Sequence, residues 1–260
     1  MDKYFLIKTR VEDKLFYLTL ARAEKRNAFT PSMLAEIFHA LTIAKNNPNV
    51  WLIIIEAEGQ VFCAGMDMKV FKNPDLDKVN AQISPTTMSL GEVIRSINKP
   101  IIAKVEGPVL AGGILIIAES TFVVAHENAT FSLPEVKRGL FPFQVMNALS
   151  RIMSERKIIE MCILAKTYSA EEAKDLGLVT HFYQKTEFEN GFQQLIDKVL
   201  EGAPLAIAKG IEASKKMKSI QESERYQYLQ KELKLLRNTH DAHEGINAFV
   251  EKRKPKWENS

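Results

Sequence analysis

The chain has 260 residues, 46% hydrophobic and 26% charged, an ordinary globular composition with enough apolar material for one sizeable core. A formal net charge of +3 is too small to point to nucleic acid, yet it suits an anionic ligand met by a few well-placed cations. Two cysteines, Cys63 and Cys162, make no disulfide framework and fit a reduced, cytoplasmic setting, and no apolar run is long enough to span a bilayer.

Residues 4–11 and 15–20 read as two strands joined by the polar turn Glu12-Asp13-Lys14. Thr30-Pro31 marks a helix start, an N-cap hydroxyl followed by the residue favoured at the first helical position. Met33, Leu34, Ile37, Phe38, Leu41 and Ala44 then form one apolar face. Residues 50–57 are a continuous apolar, β-branched run, the pattern of a strand buried on both faces. Residues 101–105 and 122–125 are shorter runs of the same kind, with helical patterns at 86–97 and 112–120 between them. Such alternation predicts an α/β fold with parallel pairing. The polar stretch 73–84 is expected to be a mobile loop.

Past Phe143 the character changes. Ser169-Ala170-Glu171-Glu172 is a capping box opening a short helix that ends at Gly177. Long helical patterns follow at 188–200, 205–218, 221–237 and 241–252. The division predicted is an α/β core over 1–195 and a helical carboxy-terminal region over 196–260.

Three segments carry the chemistry. Phe62-Cys63-Ala64-Gly65-Met66-Asp67-Met68 follows the buried strand; Gly107-Pro108-Val109-Leu110-Ala111-Gly112-Gly113 follows the strand at 101–105; Ser132-Leu133-Pro134-Glu135 precedes Gly139-Leu140-Phe141-Pro142. Gly112-Gly113 lies where a loop should open a helix, and amides at a helix start are unpaired and suited to a negative oxygen. Gly65 could turn the Met66 amide into a cleft. Taken singly, each glycine reads first as an ordinary turn or packing residue. A phosphate-binding P-loop is excluded, because no Gly-Lys-Ser/Thr follows.

Together, in this order and spacing, the segments resemble the crotonase (enoyl-CoA hydratase/isomerase) superfamily over nearly the whole chain, including Asn27-Ala28 and the tail from Glu244 to Lys254. The resemblance implies a crotonase-like ββα spiral core and an acyl-CoA thioester substrate. It implies an oxyanion hole formed by the Met66 and Gly112 amides, with Glu135 as general acid/base. It further implies coenzyme A contacts around Lys25, Arg26 and Ala28, around Ala64, Met66, Asp67 and Met68, around Leu110, Gly112 and Pro134, and at Phe249 and Lys252 in the tail. Coenzyme A belongs to the substrate, so no separate cofactor or metal is expected. A homotrimer or a dimer of trimers is the expected assembly, with no nucleic acid and no membrane as partner.

Many family hydratases hold one water between two glutamates. The first of these would fall at Leu115, which can neither give nor take a proton. Glu119, one turn further along, is expected to be a capping or ion-pairing residue. A lone Glu135 suits movement of a proton from one end of a dienolate to the other, so double-bond isomerisation is slightly favoured over hydration. A non-catalytic acyl-CoA-binding paralogue and a thioester hydrolase are the competing readings. Cys63 could be a nucleophile, but a small buried residue is the simpler reading. His39, His126, His181, His240 and His243 lack metal-ligand spacing, and no G-x-S-x-G motif is present. The basic tail at Lys252, Arg253, Lys254 and Lys256 is a solvated end unless the family resemblance is taken up.

Overall fold

The computed structural model describes residues 4–260. Strand β1 (Ile7–Glu12) pairs antiparallel with β2 (Leu15–Leu20) across a turn in which Asp13 takes φ 50°. Helix α1 (Pro31–Asn46) starts where the Thr30 hydroxyl accepts the Met33 N–H at 3.2 Å. The first half of the chain continues through β3 (Leu52–Ala57), α2 (Met68–Lys72), α3 (Leu90–Arg95), β4 (Ile101–Val105), β5 (Val109–Leu110), α4 (Ile114–Glu119), β6 (Phe122–His126) and β7 (Thr130–Ser132).

The second half comprises α5 (Phe143–Leu149), α6 (Glu155–Leu164), β8 (Thr167–Ser169), α7 (Ala170–Asp175), β9 (His181–Tyr183), α8 (Phe188–Leu200), α9 (Pro204–Met217), α10 (Glu222–Arg237) and α11 (His240–Val250). The main sheet has the order β1-β2-β3-β4-β6-β9, with every pair after the first parallel. A smaller sheet, β5-β7-β8, carries two of the loops of interest. The expected α/β class is the class observed.

β3 shows why its sequence lacks alternation. Ile53 and Ile55 point into the principal core with Leu18, Met33, Leu41, Val93 and Ile117, whereas Leu52 and Ile54 join a second cluster on the opposite face. That second cluster is closed by Phe188, Phe192 and Ile196 of α8. The boundary expected at 195/196 therefore falls inside a helix that belongs to the core, because an amphipathic period does not say which surface the helix will cover. α10 by contrast has no buried residue, and α11 buries only Asp241 and Ala248. No helix among the described residues is long and apolar enough to cross a membrane.

Stretch 73–84 is more firmly held than its polar composition suggests. Asp77 Oδ2 accepts the Ser32 N–H at 2.9 Å, and buried Asn80 donates to Glu36 Oε1 at 3.1 Å. Two polar side chains thus tie the loop to α1.

Candidate active site

The three segments meet at one cleft of about 550 Å³. Ala64, Met66 and Met68 contribute from the first, Ala111 and Gly112 from the second, and Glu135 from the third. Phe29, Leu90, Leu115 and Phe141 supply apolar wall.

Main-chain pairing holds the first two segments together. The Leu110 N–H donates to Cys63 O at 2.9 Å, extending β5 alongside residue 63. On the other side, the Phe29 N–H donates to Gly65 O at 2.8 Å and the Asp67 N–H to Phe29 O at 3.0 Å. This pair of bonds spans Met66, whose own N–H and C=O take no part in the bridge to Phe29. Gly112 sits in a single 3-10 turn, Ala111–Gly113, that runs directly into α4. Amides in such a first turn have no intrahelical acceptor. A Cβ on Gly112 would come within 2.8 Å of the Phe29 ring, so the loop approaches this closely only because the residue is glycine.

Glu135 opens the 3-10 turn Glu135–Arg138, which follows β7 through Leu133 and Pro134 and ends at Gly139 with φ 71°. The side chain is half-buried, and its Oε2 is buried with no hydrogen-bond partner among the described residues. Burial raises its pKa above the ordinary glutamate range, opposed by its own backbone N–H and the charge of Arg138. A carboxyl with a free oxygen, a raised pKa and a place in a largely apolar cleft has the properties of a proton carrier.

Leu115 is buried and lines the cleft, so no second carboxyl stands at its position. Glu119, one turn on, pairs with Arg95 at 3.5 Å and with Arg151, the ion-pair role expected of it. These three side chains surround a second cavity of about 240 Å³ beyond Leu115.

The remaining predicted residues do not line the cleft. Lys25 and Arg26 are exposed, and Ala28 is buried. Their segment is fixed to the first loop: Asn27 Nδ2 donates to the Glu58 and Val61 carbonyls at 2.8 Å each, and Ala64 N–H to Arg26 O at 3.0 Å. Asp67 caps α2 and pairs with Arg22 at 2.8 Å, which commits its carboxylate to the loop. Leu110 and Pro134 shape the turns next to Gly112 and Glu135. Phe249 is 85% exposed and borders a separate groove with Leu233, Leu236 and Trp257, and Lys252 is exposed beyond α11. Neither reaches the cleft within one chain.

Cys63 is not poised as a nucleophile. It is buried, its thiol donates to Asn27 O at 3.3 Å, and burial pushes its pKa up to about 12. Two wall residues, Phe29 and Arg138, and the pair Arg95 and Arg151 are additions that the sequence did not single out. Arg138 lies three residues after Glu135 in the same turn and could have been found there; no spacing signal marks the others, which reach the site from separate elements.

Comparison with known proteins gives the family and the fold. The family model described as enoyl-CoA hydratase/isomerase matches residues 10–260. The chain is similar to a mevalonyl-coenzyme A hydratase of Aspergillus fumigatus, 31% identical over 250 residues covering 95% of this chain and 92% of that protein. It is also similar to a 2,3-dehydroadipyl-CoA hydratase of Escherichia coli, 28% identical over 94% of this chain and 95% of that protein. Among solved structures, an enoyl-CoA hydratase/isomerase from Mycobacterium paratuberculosis superposes with a TM-score of 0.87 at 27% identity, covering 98% of this chain and 99% of that one.

Proposed function

The chain belongs to the enoyl-CoA hydratase/isomerase family, and from that premise we propose that it binds an acyl-CoA thioester in the cleft and moves a proton on its acyl group through Glu135. The observation that carries this reading is the buried, unpartnered Glu135 Oε2 sharing one cavity with Met66 and Gly112.

In the proposed reaction the thioester carbonyl accepts hydrogen bonds from the Met66 and Gly112 amides. Those bonds strengthen as the carbonyl becomes an enolate oxygen, and loss of one such donor costs roughly a hundred- to a thousandfold in rate. Glu135 takes the proton from the carbon beside the thioester and returns it to the far carbon of the dienolate, converting a 3-enoyl to a 2-enoyl thioester. One carboxyl is enough for this transfer, and the apolar Leu115 leaves no second acid to hold a water. Isomerisation is therefore the reading this site favours. Lys25 and Arg26, exposed beside the first loop, are assigned to the phosphates of coenzyme A. Phe249 and Lys252 are assigned to its adenosine end, supplied in the assembly.

The exposed apolar side chains of α10 and α11, among them Leu233, Ile246 and Phe249, support assembly as a trimer or a dimer of trimers. A second reading, water addition to a 2-enoyl thioester by Glu135 alone, is favoured by the names of the relatives, which are hydratases.

Matched 3-enoyl-CoA and 2-enoyl-CoA substrates, incubated in isotopically labelled water, separate the readings. Conversion of the 3-enoyl to the 2-enoyl ester without oxygen incorporation is expected. Faster oxygen incorporation into the 2-enoyl ester would replace isomerisation by hydration. Binding of both esters without turnover would mark a non-catalytic acyl-CoA carrier.

A further inference from the structure

Beyond Leu115 lies the second cavity, bounded by α3, α4 and α5. It shares Ser89, Leu115 and Gln144 with the cleft, so the two spaces adjoin along these three residues. Its far wall is charged. Arg95 from α3 and Arg151, just past α5, converge on Glu119 of α4, whose side chain is only 6% exposed.

The donors exceed what Glu119 uses. A guanidinium carries five N–H groups. Among the described residues, each of these two arginines spends one on Glu119 and none on any other acceptor. Lys215 adds positive charge behind them, with its ammonium tied to the Arg95 and Ile97 carbonyls. Glu92 stands at the rim and is kept ionised by the Ser89 N–H at 2.8 Å and the Ser89 hydroxyl at 2.7 Å, but it is exposed, so solvent screens its charge from the cavity. A largely buried ion pair is by itself weak evidence of stabilisation, because apolar residues of similar volume are often as good or better. Two arginines on one carboxylate, with spare donors facing a cavity that adjoins the reaction cleft, suit a second carboxylate arriving from that cleft. The planar guanidinium fork matches a carboxylate bidentately.

We infer that this cavity is a subsite for the far end of the acyl chain, and that Arg95 and Arg151 there receive a terminal carboxylate, making the substrate a coenzyme A mono-thioester of a dicarboxylic acid. The inference rests on the cleft being the thioester site. From Gly112 to Glu119 the chain rises roughly 10 Å along the helix axis, and a hydrogen bond covers about 3 Å of it, which suits an acyl chain of about six carbons. Leu115 then borders the passage between reacting carbons and terminal charge.

The test compares binding of two saturated thioesters, hexanedioyl-CoA and hexanoyl-CoA, to the full chain by calorimetry, so that no turnover is needed. The wild-type protein should hold the diacid roughly tenfold or more tighter. R151Q and R95Q should each reduce that ratio by about tenfold. Should either variant fail to fold, R95K and R151K, which keep the charge but lose the bidentate fork, take their place under the same criterion. Equal affinity for the two esters, or a ratio that survives both substitutions, overturns the subsite. A clear diacid preference without turnover of the corresponding enoyl esters supports the subsite and removes the proposed reaction. Failure of both esters to bind removes both.

Discussion

A Cβ on Gly65 would lie 3.1 Å from the Gly112 nitrogen and 2.7 Å from the Ala111 Cβ. The two loops assigned to the thioester carbonyl therefore press on each other, and Gly65 holds φ +83°, where an L side chain is strained. Gly65→Ala should push the Gly112 amide away from the position of the Met66 amide. Expected is a fall in kcat of roughly a hundredfold or more, as for loss of one oxyanion donor, with a smaller change in KM. Steady-state kinetics on the 3-enoyl ester check this. A variant that stays folded by circular dichroism and keeps its kcat would show that the spacing of the two loops does not matter to the chemistry.

Glu135→Gln removes the proton carrier while keeping the shape of the side chain. Turnover should drop by roughly a hundred- to ten-thousandfold while acyl-CoA affinity, measured by calorimetry, changes little. The pH dependence follows from the raised pKa. As the base, Glu135 must be ionised, so the acid limb of kcat/KM should fall above the ordinary glutamate value of 4.5. The stability consequence has a definite sign. A carboxyl whose folded pKa is raised binds its proton more tightly in the native state, so the native state is favoured at low pH and loses that advantage as pH rises through the raised value. Glu135→Gln should therefore raise the melting temperature at pH 7 but not at pH 4. Equal effects at both pH values would mean that burial does not perturb this carboxyl.

Much of this site was legible because its parts are short and local. Gly65, Gly112 and Glu135 each sit in a contiguous motif, and the first two follow apolar runs that read as strands. The caps at Thr30 and Ser169 were readable for the same reason. What escaped depends on contacts between distant elements. Arg95 and Arg151 are separated from Glu119 by 24 and 32 positions, and no periodicity reports such a meeting. The packing of α8 on the sheet was missed because its apolar stripe would fit a neighbouring subunit equally well. The anchoring of stretch 73–84 was missed because a polar residue that will be buried looks like one that will be solvated.

Leu115→Glu should install the missing second carboxyl. The position is buried and faces the cleft on the α4 turn that follows Gly112. Two carboxyls could hold and activate one water between them, so hydration of a 2-enoyl ester should rise by at least about tenfold relative to isomerisation. The two products, separated chromatographically, give the ratio directly. No change in that ratio, in a variant that folds and still isomerises, would mean that residue 115 does not control the choice of reaction.

Glu36 lies in α1 with a fully buried side chain. Its Oε1 accepts the Phe5 N–H at 2.8 Å and Asn80 Nδ2 at 3.1 Å, and its Oε2 accepts the Leu6 N–H at 2.8 Å. One carboxylate thus ties the strand leading into β1 and the stretch at residue 80 to the same helix. Glu36→Ala would remove the acceptor of the Phe5 and Leu6 amides in a place water does not readily reach, and each orphaned donor costs about 1–3 kcal/mol. Part of that cost is relieved if Phe5, already 47% exposed, turns its amide to solvent. A net loss of about 3 kcal/mol is expected in urea unfolding, with an unchanged m-value. Amide exchange should quicken at residues 5–6 and 77–83 before it does in β3 and β4, because those segments lose their shared anchor while the central strands keep theirs. A loss below about 1 kcal/mol, or exchange that quickens evenly across the sheet, would mean that Glu36 is not the tie between these segments.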